Sequence, residues 1–296
     1  MKRSGGVVIM LFAVTVAMAQ QFTEKITKKL NFEKESETNV VIVANINGNV
    51  KVEGYNGNEI MVTVEKKIMA KNQDRLEEGK KDIQLGIINL SDSLILYVEG
   101  ACSRFGRKNQ EYHRNKKERK GWDYDWSSSE EACWEDFQFL MHFTISVPAS
   151  VNLVVSTINN GEIEVNNLTG HVSANNVNGG IQLTAIAGPT DVSSINGGIR
   201  LEYASNPSGP CRFYALNGDI KATFKRGLDA TVGFESFNGN FFTNVDTIEH
   251  LPAILEKEQS KAGIQYKLTG NRYKVGRGGA LLDFETFNGN VYLNEL

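Results

Sequence analysis

Five acidic residues in the second half of the chain are the strongest candidates for chemistry. Hydrolysis of a glycosidic bond needs two carboxyl groups that face each other across about 5 to 9.5 Å. Repeated strands could bring such groups together on one outward face, and the candidates are Glu162, Glu164, Asp191, Glu202 and Asp219. Acidic side chains on such a face are usually solvated, and the sequence indicates no outward arginine and aromatic groups beside them. Catalysis is therefore not expected, although a carbohydrate-active β-helix enzyme stays open as an alternative.

Other kinds of reactive site have no pattern in the sequence. The four histidines, His113, His142, His171 and His250, include no pair at the spacing of metal ligands. Calcium-binding β-rolls repeat an aspartate within each turn, whereas only Asp219 follows an Asn-Gly pair here. Nucleophile motifs such as Gly-x-Ser-x-Gly and glycine-rich phosphate loops are absent. The sequence predicts no metal and no cofactor.

The acidic residues would be positioned by a repeated phrase, Asn-Gly followed by an apolar residue two places after the glycine. The intervals between successive copies are 18, 18, 21 and 21 residues, and a second series of glycines falls between them. The repeating unit is therefore a half-coil of nine residues, long enough for one short strand and one turn. The first series is Asn160-Gly161, Asn178-Gly179, Asn196-Gly197, Asn217-Gly218 and Asn238-Gly239, and the second is Gly170, Gly188, Gly209 and Gly227.

This spacing predicts an all-β fold, a single-domain β-solenoid of stacked short strands. Asn-Gly suits the positive φ angles of tight turns, and alternating apolar residues such as Ile163 and Val165 would bury one face of each strand. Identical turns should stack in one file at about 4.8 Å per coil. A twisted antiparallel sandwich stays open, because Asn-Gly also favours hairpins. The predicted structural turns are at Gly161, Gly179, Gly197, Gly218, Gly239 and Gly289.

The repeated phrase also carries a resemblance to a known family. Together with residues 273–282 (YKVGRGGALL) and 286–293 (TFNGNVYL), it resembles the bacterial "putative adhesin" family of β-solenoids, also called toastrack domains. The resemblance covers about residues 40–296. It implies a β-solenoid and an adhesin-like role, and it supplies no catalytic residues, because the family has no agreed ones.

The amino terminus predicts export. Lys2 and Arg3 precede an apolar run over residues 7–18, and Ala17-Met18-Ala19 is the small-x-small pattern of a signal peptidase site. Residues 1–19 are therefore predicted to be a signal peptide and residues 20–296 one domain. The apolar run is too short to span a bilayer core of about 30 Å, and no second run is longer, so no transmembrane span is expected. The mature chain should be periplasmic or extracellular.

Composition agrees with a folded domain that has no bulk attraction to nucleic acid. The chain has 296 residues, of which 41% are hydrophobic and 23% charged, and its net charge is −3. Residues 101–136 depart from the repeat. Residues 104–120 hold eight basic and two acidic residues, net +6, and residues 121–136 hold six acidic and no basic residues, net −6. This insertion neutralises itself, so polyanion binding is the less favoured interpretation.

The insertion is the predicted partner-binding lobe. It holds all three tryptophans of the chain, and tryptophan and tyrosine give large contact area at low entropic cost. The candidate contacts are Trp122, Tyr124, Trp126 and Trp134. An equally weighted alternative is that these aromatics only attach the lobe to the rest of the domain.

The cysteines predict one disulfide and one free thiol. Cys102 and Cys133 stand at the two ends of the insertion, where a disulfide would stabilise an exported protein by roughly 3 to 4 kcal/mol. Cys211 falls at an inward position and is predicted to be buried and free, with an intermolecular disulfide as the less favoured alternative. Around the insertion, we predict a short helix within residues 70–81 and a strand over residues 137–147.

The sequence thus favours an exported, non-catalytic binding or scaffold protein of the bacterial cell envelope, adhesin-like, that recognises a partner through surface loops. The expected partner is a cell-envelope protein or glycan, and not nucleic acid. Besides the enzyme, a self-stacking structural protein stays open, forming a homo-oligomer through its end strands.

Overall fold

The computed structural model describes residues 20–34, 36, 38–100, 104–107, 122–125, 136–260, 263–269 and 271–296. It contains one helix, α1 (Gln73–Asp82), within this part of the chain. The strands are β1 (Gln20–Leu30), β2 (Val40–Ala44), β3 (Val50–Tyr55), β4 (Ile60–Ala70), β5 (Gln84–Asn89), β6 (Ser93–Glu99), β7 (Arg104–Arg107), β8 (Trp122–Asp125), β9 (Phe137–Pro148), β10 (Asn152–Thr157), β11 (Ile163–Asn166), β12 (Val172–Asn178), β13 (Ile181–Ile186), β14 (Thr190–Asn196), β15 (Ile199–Tyr203), β16 (Cys211–Asn217), β17 (Ile220–Phe224), β18 (Ala230–Asn238), β19 (Phe241–Thr243), β20 (Ile248–His250), β21 (Ile254–Ser260), β22 (Gly263–Thr269), β23 (Arg272–Val275), β24 (Ala280–Asn288) and β25 (Val291–Glu295).

Two large sheets make up the molecule. The front sheet has the strand order β1-β4-β9-β3-β11-β13-β15-β17-β25-β19, and the back sheet has the order β20-β23-β18-β24-β16-β14-β12-β10-β2-β6-β5. From β10 to β17 the chain alternates between the two sheets, and each of the strands β10 to β15 pairs in parallel with the strand two places later. The antiparallel sandwich left open by the sequence therefore does not describe this region.

The two sheets bury the apolar residues that alternate along each strand. Ile163, Ile181, Ile199 and Ile220 are in register on successive front strands and are all buried. Larger rings fill the space near the carboxyl-terminal end of the stack, where Tyr203 stacks on Phe224 and Phe213 packs on Phe284 with ring centroids 4.8 and 4.7 Å apart. Full burial of each such side chain contributes about 1.5 to 3 kcal/mol. Cys211 is buried and free, as predicted.

The predicted turn glycines lie in the short connections between the sheets, but the expected reason for glycine is wrong. Among the described residues, positive φ occurs at glycines 48, 227, 276 and 278, and at none of the six predicted turn glycines. A Cβ on each of these six would instead collide with the carbonyl oxygen of the glycine one strand away. Close approach of neighbouring backbones, and not backbone conformation, requires glycine here. The file runs Gly48, Gly161, Gly179, Gly197, Gly218, Gly289 and Gly239.

The asparagines beside these glycines form a ladder of side-chain amides. Asn178 Nδ2 donates to Asn159 Oδ1 at 2.8 Å, and Asn196 Nδ2 donates to Asn178 Oδ1 at 2.9 Å. The same bond at 3.0 Å continues through Asn217, Asn288 and Asn238. In the first copy, Asn159 takes the ladder position and Asn160 adopts a positive φ of 53°. The repeated asparagine therefore acts as a hydrogen-bonding spacer between strands.

The stacking order differs from the chain order at the carboxyl-terminal end. Strand β24 pairs in parallel with both β16 and β18, and β25 pairs in parallel with both β17 and β19. Residues 280–295 are therefore inserted between two coils that are consecutive in sequence. As a result, Gly289 lies between Gly218 and Gly239 in the glycine file.

Each end of the stack has packing contacts of its own. At the amino-terminal end α1 is capped by Asn72, whose side chain accepts a hydrogen bond from the Arg75 N–H. Lys66, whose side chain is 2% exposed, donates from Nζ to the Lys80 carbonyl at the other end of α1. Burial lowers the pKa of Lys66. At the carboxyl-terminal end, Phe241 stacks on Tyr273 with ring centroids 5.9 Å apart.

Several predicted elements are confirmed. The strand expected over residues 137–147 is β9, and the helix expected within residues 70–81 is α1. Within the described part of the chain, no helix is long and apolar enough to cross a membrane. The predicted disulfide falls on Cys102 and Cys133, which lie outside the described residues.

Candidate ligand-binding groove

A groove of about 400 Å³ crosses the outward face of the front sheet. Four parallel strands, β11, β13, β15 and β17, place their outward side chains and the ends of their preceding turns around it. Its floor lies at Gly180 and Gly198, where no side chain fills the space. The polar groups around this floor are Glu162, Glu164, Gln182, Arg200, Asp219 and Lys221.

One row of outward side chains runs along the groove and beyond it. In register on successive strands are Glu164, Gln182, Arg200 and Lys221, and the row continues to Tyr292 and Phe242. Neighbouring strands are about 4.8 Å apart, so this outer row presents polar, cationic and aromatic groups at a regular spacing. Lys51 precedes Glu164 at the other end of the same row.

The aromatic end of the outer row is preorganised. The rings of Phe242 and Tyr292 stack with centroids 5.1 Å apart, and Phe242 is 47% exposed. Lys221 Nζ lies 5.3 Å from the centroid of the Tyr292 ring, a cation-π contact that holds its charge beside the aromatic surface. These rings form a flat, partly apolar platform at the end of the row.

The carboxylate at the other end of the outer row is neutralised. Lys51 Nζ donates to Glu164 Oε1 at 2.8 Å, and the Asn166 amide donates to the same oxygen at 3.0 Å. The hydrogen bond from Lys51 holds the pKa of Glu164 below its ordinary value. The same hydrogen bond raises the pKa of Lys51. Glu164 therefore stays ionised at neutral pH.

By contrast, Arg200 carries a charge that has no partner. Its side chain is exposed, and among the described residues its guanidinium makes no ion pair or hydrogen bond. Arg212, at the corresponding outward position on the back sheet, has Glu285 Oε2 at 3.7 Å. The groove thus offers a planar group with several donors to whatever enters it.

The structure separates the acidic residues that the sequence grouped. Glu162, Glu164 and Asp219 line the groove, Glu202 lies on β15 outside its lining, and Asp191 lies on β14 in the back sheet. Glu162 and Asp219 are three strand spacings apart, about 14 Å between backbones. The prediction that outward arginine and aromatic groups are missing was wrong, because Arg200, Tyr292 and Phe242 stand in the same outer row.

The aromatic residues of the insertion are only partly described. Tyr124 is 3% exposed, and its hydroxyl donates to the Ala44 carbonyl at 2.9 Å and accepts from the Val98 N–H at 2.8 Å. Tyr124 therefore packs the insertion onto the edge of the domain, as the alternative interpretation expects. Trp122 is half-buried and stacks on Phe105 with ring centroids 5.8 Å apart. Trp126 and Trp134 lie outside the described residues.

The sequence signal for the groove is a second glycine in two copies of the repeated phrase. The residue after each turn glycine is Glu162, Gly180, Gly198, Asp219, Asn240 or Asn290, so two copies carry a second glycine. The outer row could not be read from sequence, since β24 and β25 enter the stack out of order. Across the described residues, no group of three or more His, Cys, Asp or Glu side chains could hold a metal ion.

Comparisons with known proteins do not assign the chain to a family. No family model matches it, and no curated protein matches it. Among solved structures, it is similar to a "putative cell adhesion protein" from Clostridium sporogenes, with 10% identity, a TM-score of 0.45, and coverage of 93% of this chain and 100% of the other. A "putative adhesin" from Bacteroides fragilis gives 11% identity, a TM-score of 0.34, and coverage of 92% and 97%. A "putative lipid binding protein" from Parabacteroides distasonis gives 9% identity, a TM-score of 0.23, and coverage of 92% and 96%.

Proposed function

We propose that this chain is an exported, non-catalytic β-solenoid of the bacterial cell envelope that binds a glycan along the outward face of its front sheet. An adhesin-like or scaffolding role in the envelope would follow from such binding. The family resemblance of the repeated phrase and the amino-terminal export pattern support an exported protein of the cell envelope. The outer row of side chains supports the ligand.

The observation that carries the proposal is the row Arg200, Lys221, Tyr292 and Phe242 in register on four neighbouring strands. Aromatic rings stack on the apolar faces of sugar rings, and adjacent cations and amides bind hydroxyl and acidic groups. A polysaccharide repeats at a fixed interval, and so do the positions of this row. The row therefore suits a linear polymer better than a single small molecule.

The alternative of a carbohydrate-active enzyme has less support. A glycosidase needs one protonated acid and a second carboxylate across the bond that is cleaved. Glu164 is held ionised by Lys51, and Glu162 and Asp219 are too far apart to act as a pair. The self-stacking alternative also has less support, because edge strand β1 exposes Lys25, Lys28 and Lys29, which disfavour edge-to-edge pairing.

The test compares two exposed aromatic pairs on opposite faces of the molecule. Phe242 and Tyr292 stand on the front sheet, and the back sheet carries the stacked pair Phe237 and Phe287, which are 74% and 45% exposed. Replacing both front rings by alanine should weaken binding to purified envelope polysaccharide roughly tenfold or more. Replacing both back rings by alanine should leave binding unchanged, as measured by co-sedimentation and calorimetry.

Treatment of the envelope fraction identifies the class of partner. Periodate oxidation should abolish binding, since it destroys sugar rings, and protease digestion should not. The opposite pattern would show a protein partner and overturn the glycan assignment. Equal losses for the front and back variants would show that the front row is not the site.

Trp122 is a second proposed contact for the same partner. It is half-buried on the insertion, beside Phe105. Trp122→Ala tests it more cleanly than removal of the insertion, because removal would also break the hydrogen bonds that Tyr124 makes to Ala44 and Val98. A loss of binding without a change in melting temperature would support the contact.

A further inference from the structure

A second row of residues follows the glycine file along the front edge of the stack. Each member of this edge row comes directly after a file glycine, and the strands that follow are paired in register. In stacking order the members are Asn49, Glu162, Gly180, Gly198, Asp219, Asn290 and Asn240.

A simple rule satisfies the backbone N–H groups at both ends of the edge row. Each N–H donates to the side chain of the preceding member, as Glu162 N does to Asn49 Oδ1 at 3.0 Å and Asn290 N does to Asp219 Oδ1 at 2.9 Å. Asn240 N donates to Asn290 Oδ1 at 3.0 Å in the same way. The row begins at His142, whose Nδ1 accepts from Asn49 N at 3.2 Å and whose pKa is lowered by burial.

The rule fails in the middle of the row. Gly180 and Gly198 have no side chain, so the N–H groups of Gly198 and Asp219 have nothing beneath them to accept a hydrogen bond. Within the described chain, the N–H groups of Gly180, Gly198 and Asp219 all lack an acceptor. Three unpaired donors thus stand in line, about 4.8 Å apart, beside the floor of the groove. Unpaired backbone donors are rare in folded proteins and carry a cost when water is excluded.

The fold does not require glycine at these two positions. Neither Gly180 nor Gly198 has a positive φ, and a Cβ on either would make only ordinary contacts, 3.5 Å from the Gly198 carbonyl oxygen and 3.4 Å from the Asp219 carbonyl oxygen respectively. Their chain neighbours Gly179 and Gly197 have no such room. Glycine also loses more conformational entropy on folding than alanine does. What glycine provides here is access to the row of donors.

We infer that the groove binds successive oxyanions of an acidic glycan, carboxylate or sulfate groups, along the row of N–H groups of Gly180, Gly198 and Asp219, with the guanidinium of Arg200 beside this row. An oxyanion accepts a charge-assisted hydrogen bond from a backbone N–H group that has no protein partner, and a guanidinium pairs with a carboxylate or sulfate through two donors. This inference rests on the proposed function and names the chemical class of the glycan.

The charges around the groove permit an anion. Glu164 is neutralised by Lys51 at 2.8 Å, and one oxygen of Asp219 accepts the hydrogen bond from Asn290 N. Glu162 lies at the opposite end of the donor row, and Arg200 and Lys221 supply two positive charges along it. The anions would lie along the donor row between Glu162 and Asp219, over the glycine floor. Sugar units that follow along the polymer would then reach the rings of Tyr292 and Phe242.

The test follows the three amides directly. In ¹⁵N–¹H correlation spectra, tetragalacturonate and inorganic sulfate should shift the amide resonances of Gly180, Gly198 and Asp219, and maltotetraose, which is neutral, should not. Gly198→Asn should restore the edge-row rule by offering an acceptor to the Asp219 N–H while filling the groove. We expect this variant to bind tetragalacturonate at least about tenfold more weakly and to melt no lower than the wild type.

A matched pair of arginines provides the control. Arg200→Gln should weaken tetragalacturonate binding, and Arg212→Gln, on the back sheet, should not. Sulfate shifts at the three amides without binding of envelope polysaccharide would support the oxyanion site and reject the proposed function. Amides that stay unmoved by both anions would overturn the inference, and so would equal shifts with maltotetraose, even if polysaccharide binding through the aromatic end persists.

Discussion

Gly179 and Gly180 are neighbours in sequence, as are Gly197 and Gly198, yet glycine has a different cause at each member of the pair. Gly179 and Gly197 belong to the file in which a Cβ would strike the carbonyl oxygen one strand away. Gly180 and Gly198 have room for a Cβ and leave backbone donors open to solvent. Gly179 and Gly197 are required for the strands to pack, whereas Gly180 and Gly198 leave space on the surface. A repeated dipeptide can therefore encode strand packing in one residue and an open surface in the next.

Substitution of one glycine from the glycine file and one from the edge row gives the largest expected contrast. Gly197→Ala should destabilise the domain by about 3 kcal/mol or more, because the Gly179 carbonyl cannot move without disturbing the parallel register. Gly198→Ala should be neutral or stabilising by up to about 1 kcal/mol, because it restricts the unfolded chain at no steric cost. Urea unfolding monitored by circular dichroism measures both. Equal losses of unfolding free energy would remove the distinction between the glycine file and the edge row.

Removal of a ladder amide should have an intermediate effect. Asn196 lies inside the amide ladder, where it donates to Asn178 and accepts from Asn217. Asn196→Ala should cost about 1 to 2 kcal/mol, because two neighbours lose a partner. Asn238 stands at the end of the ladder and makes one such bond, so Asn238→Ala should cost about half as much. A larger cost at Asn238 would show that the ladder does not act through its pairwise bonds.

The smallest effect should come from the ion pair at the end of the outer row. The pKa of Glu164 is lower in the folded protein than its ordinary value of 4.5. Its contribution to stability is therefore present above about pH 4.5 and is lost as the pH falls through the folded-state pKa. Both partners are partly exposed, so the contribution should be less than about 1 kcal/mol.

Melting temperatures of the wild type and Glu164→Gln check this sign. The two proteins should differ at pH 7 and converge at pH 3, because protonation removes the charge that the variant lacks. A difference that persists unchanged at pH 3 would mean that the carboxylate stabilises the fold in some other way than through the charge paired with Lys51.

The strands of the central stack could be predicted from the sequence because each one has its own local pattern of alternating apolar and polar residues. Ile163 and Val165 alternate with polar residues, and the same alternation recurs after each Asn-Gly pair, so the inward face follows from local pattern alone. The order of the coils does not follow in this way. The phrases at Asn238-Gly239 and Asn288-Gly289 are alike, and neither shows that Gly289 stacks between Gly218 and Gly239.

The candidate groove was predicted only in part for the same reason. Glu162, Glu164 and Asp219 could be placed on outward faces from their own strands. Arg200 and Tyr292 come into one row only because β25 pairs with β17, a long-range contact that the sequence does not display. Tyr124 shows a related limit, since an aromatic residue in a polar insertion reads as exposed until its hydroxyl is found bonded to Ala44 and Val98.

The interposed position of β24 and β25 also constrains how the molecule assembles. While the chain is synthesised, β16 and β17 form before β24 and β25, the strands that pair with them on one side. Strands β18 and β19 also form before β24 and β25, which must separate them from β16 and β17. Strands β16 and β17 must either stay unpaired on one side until β24 and β25 form, or pair first with β18 and β19 and separate from them later. Maturation of this stack is therefore not a simple winding from one end to the other, and its slow step should be the admission of residues 280–296.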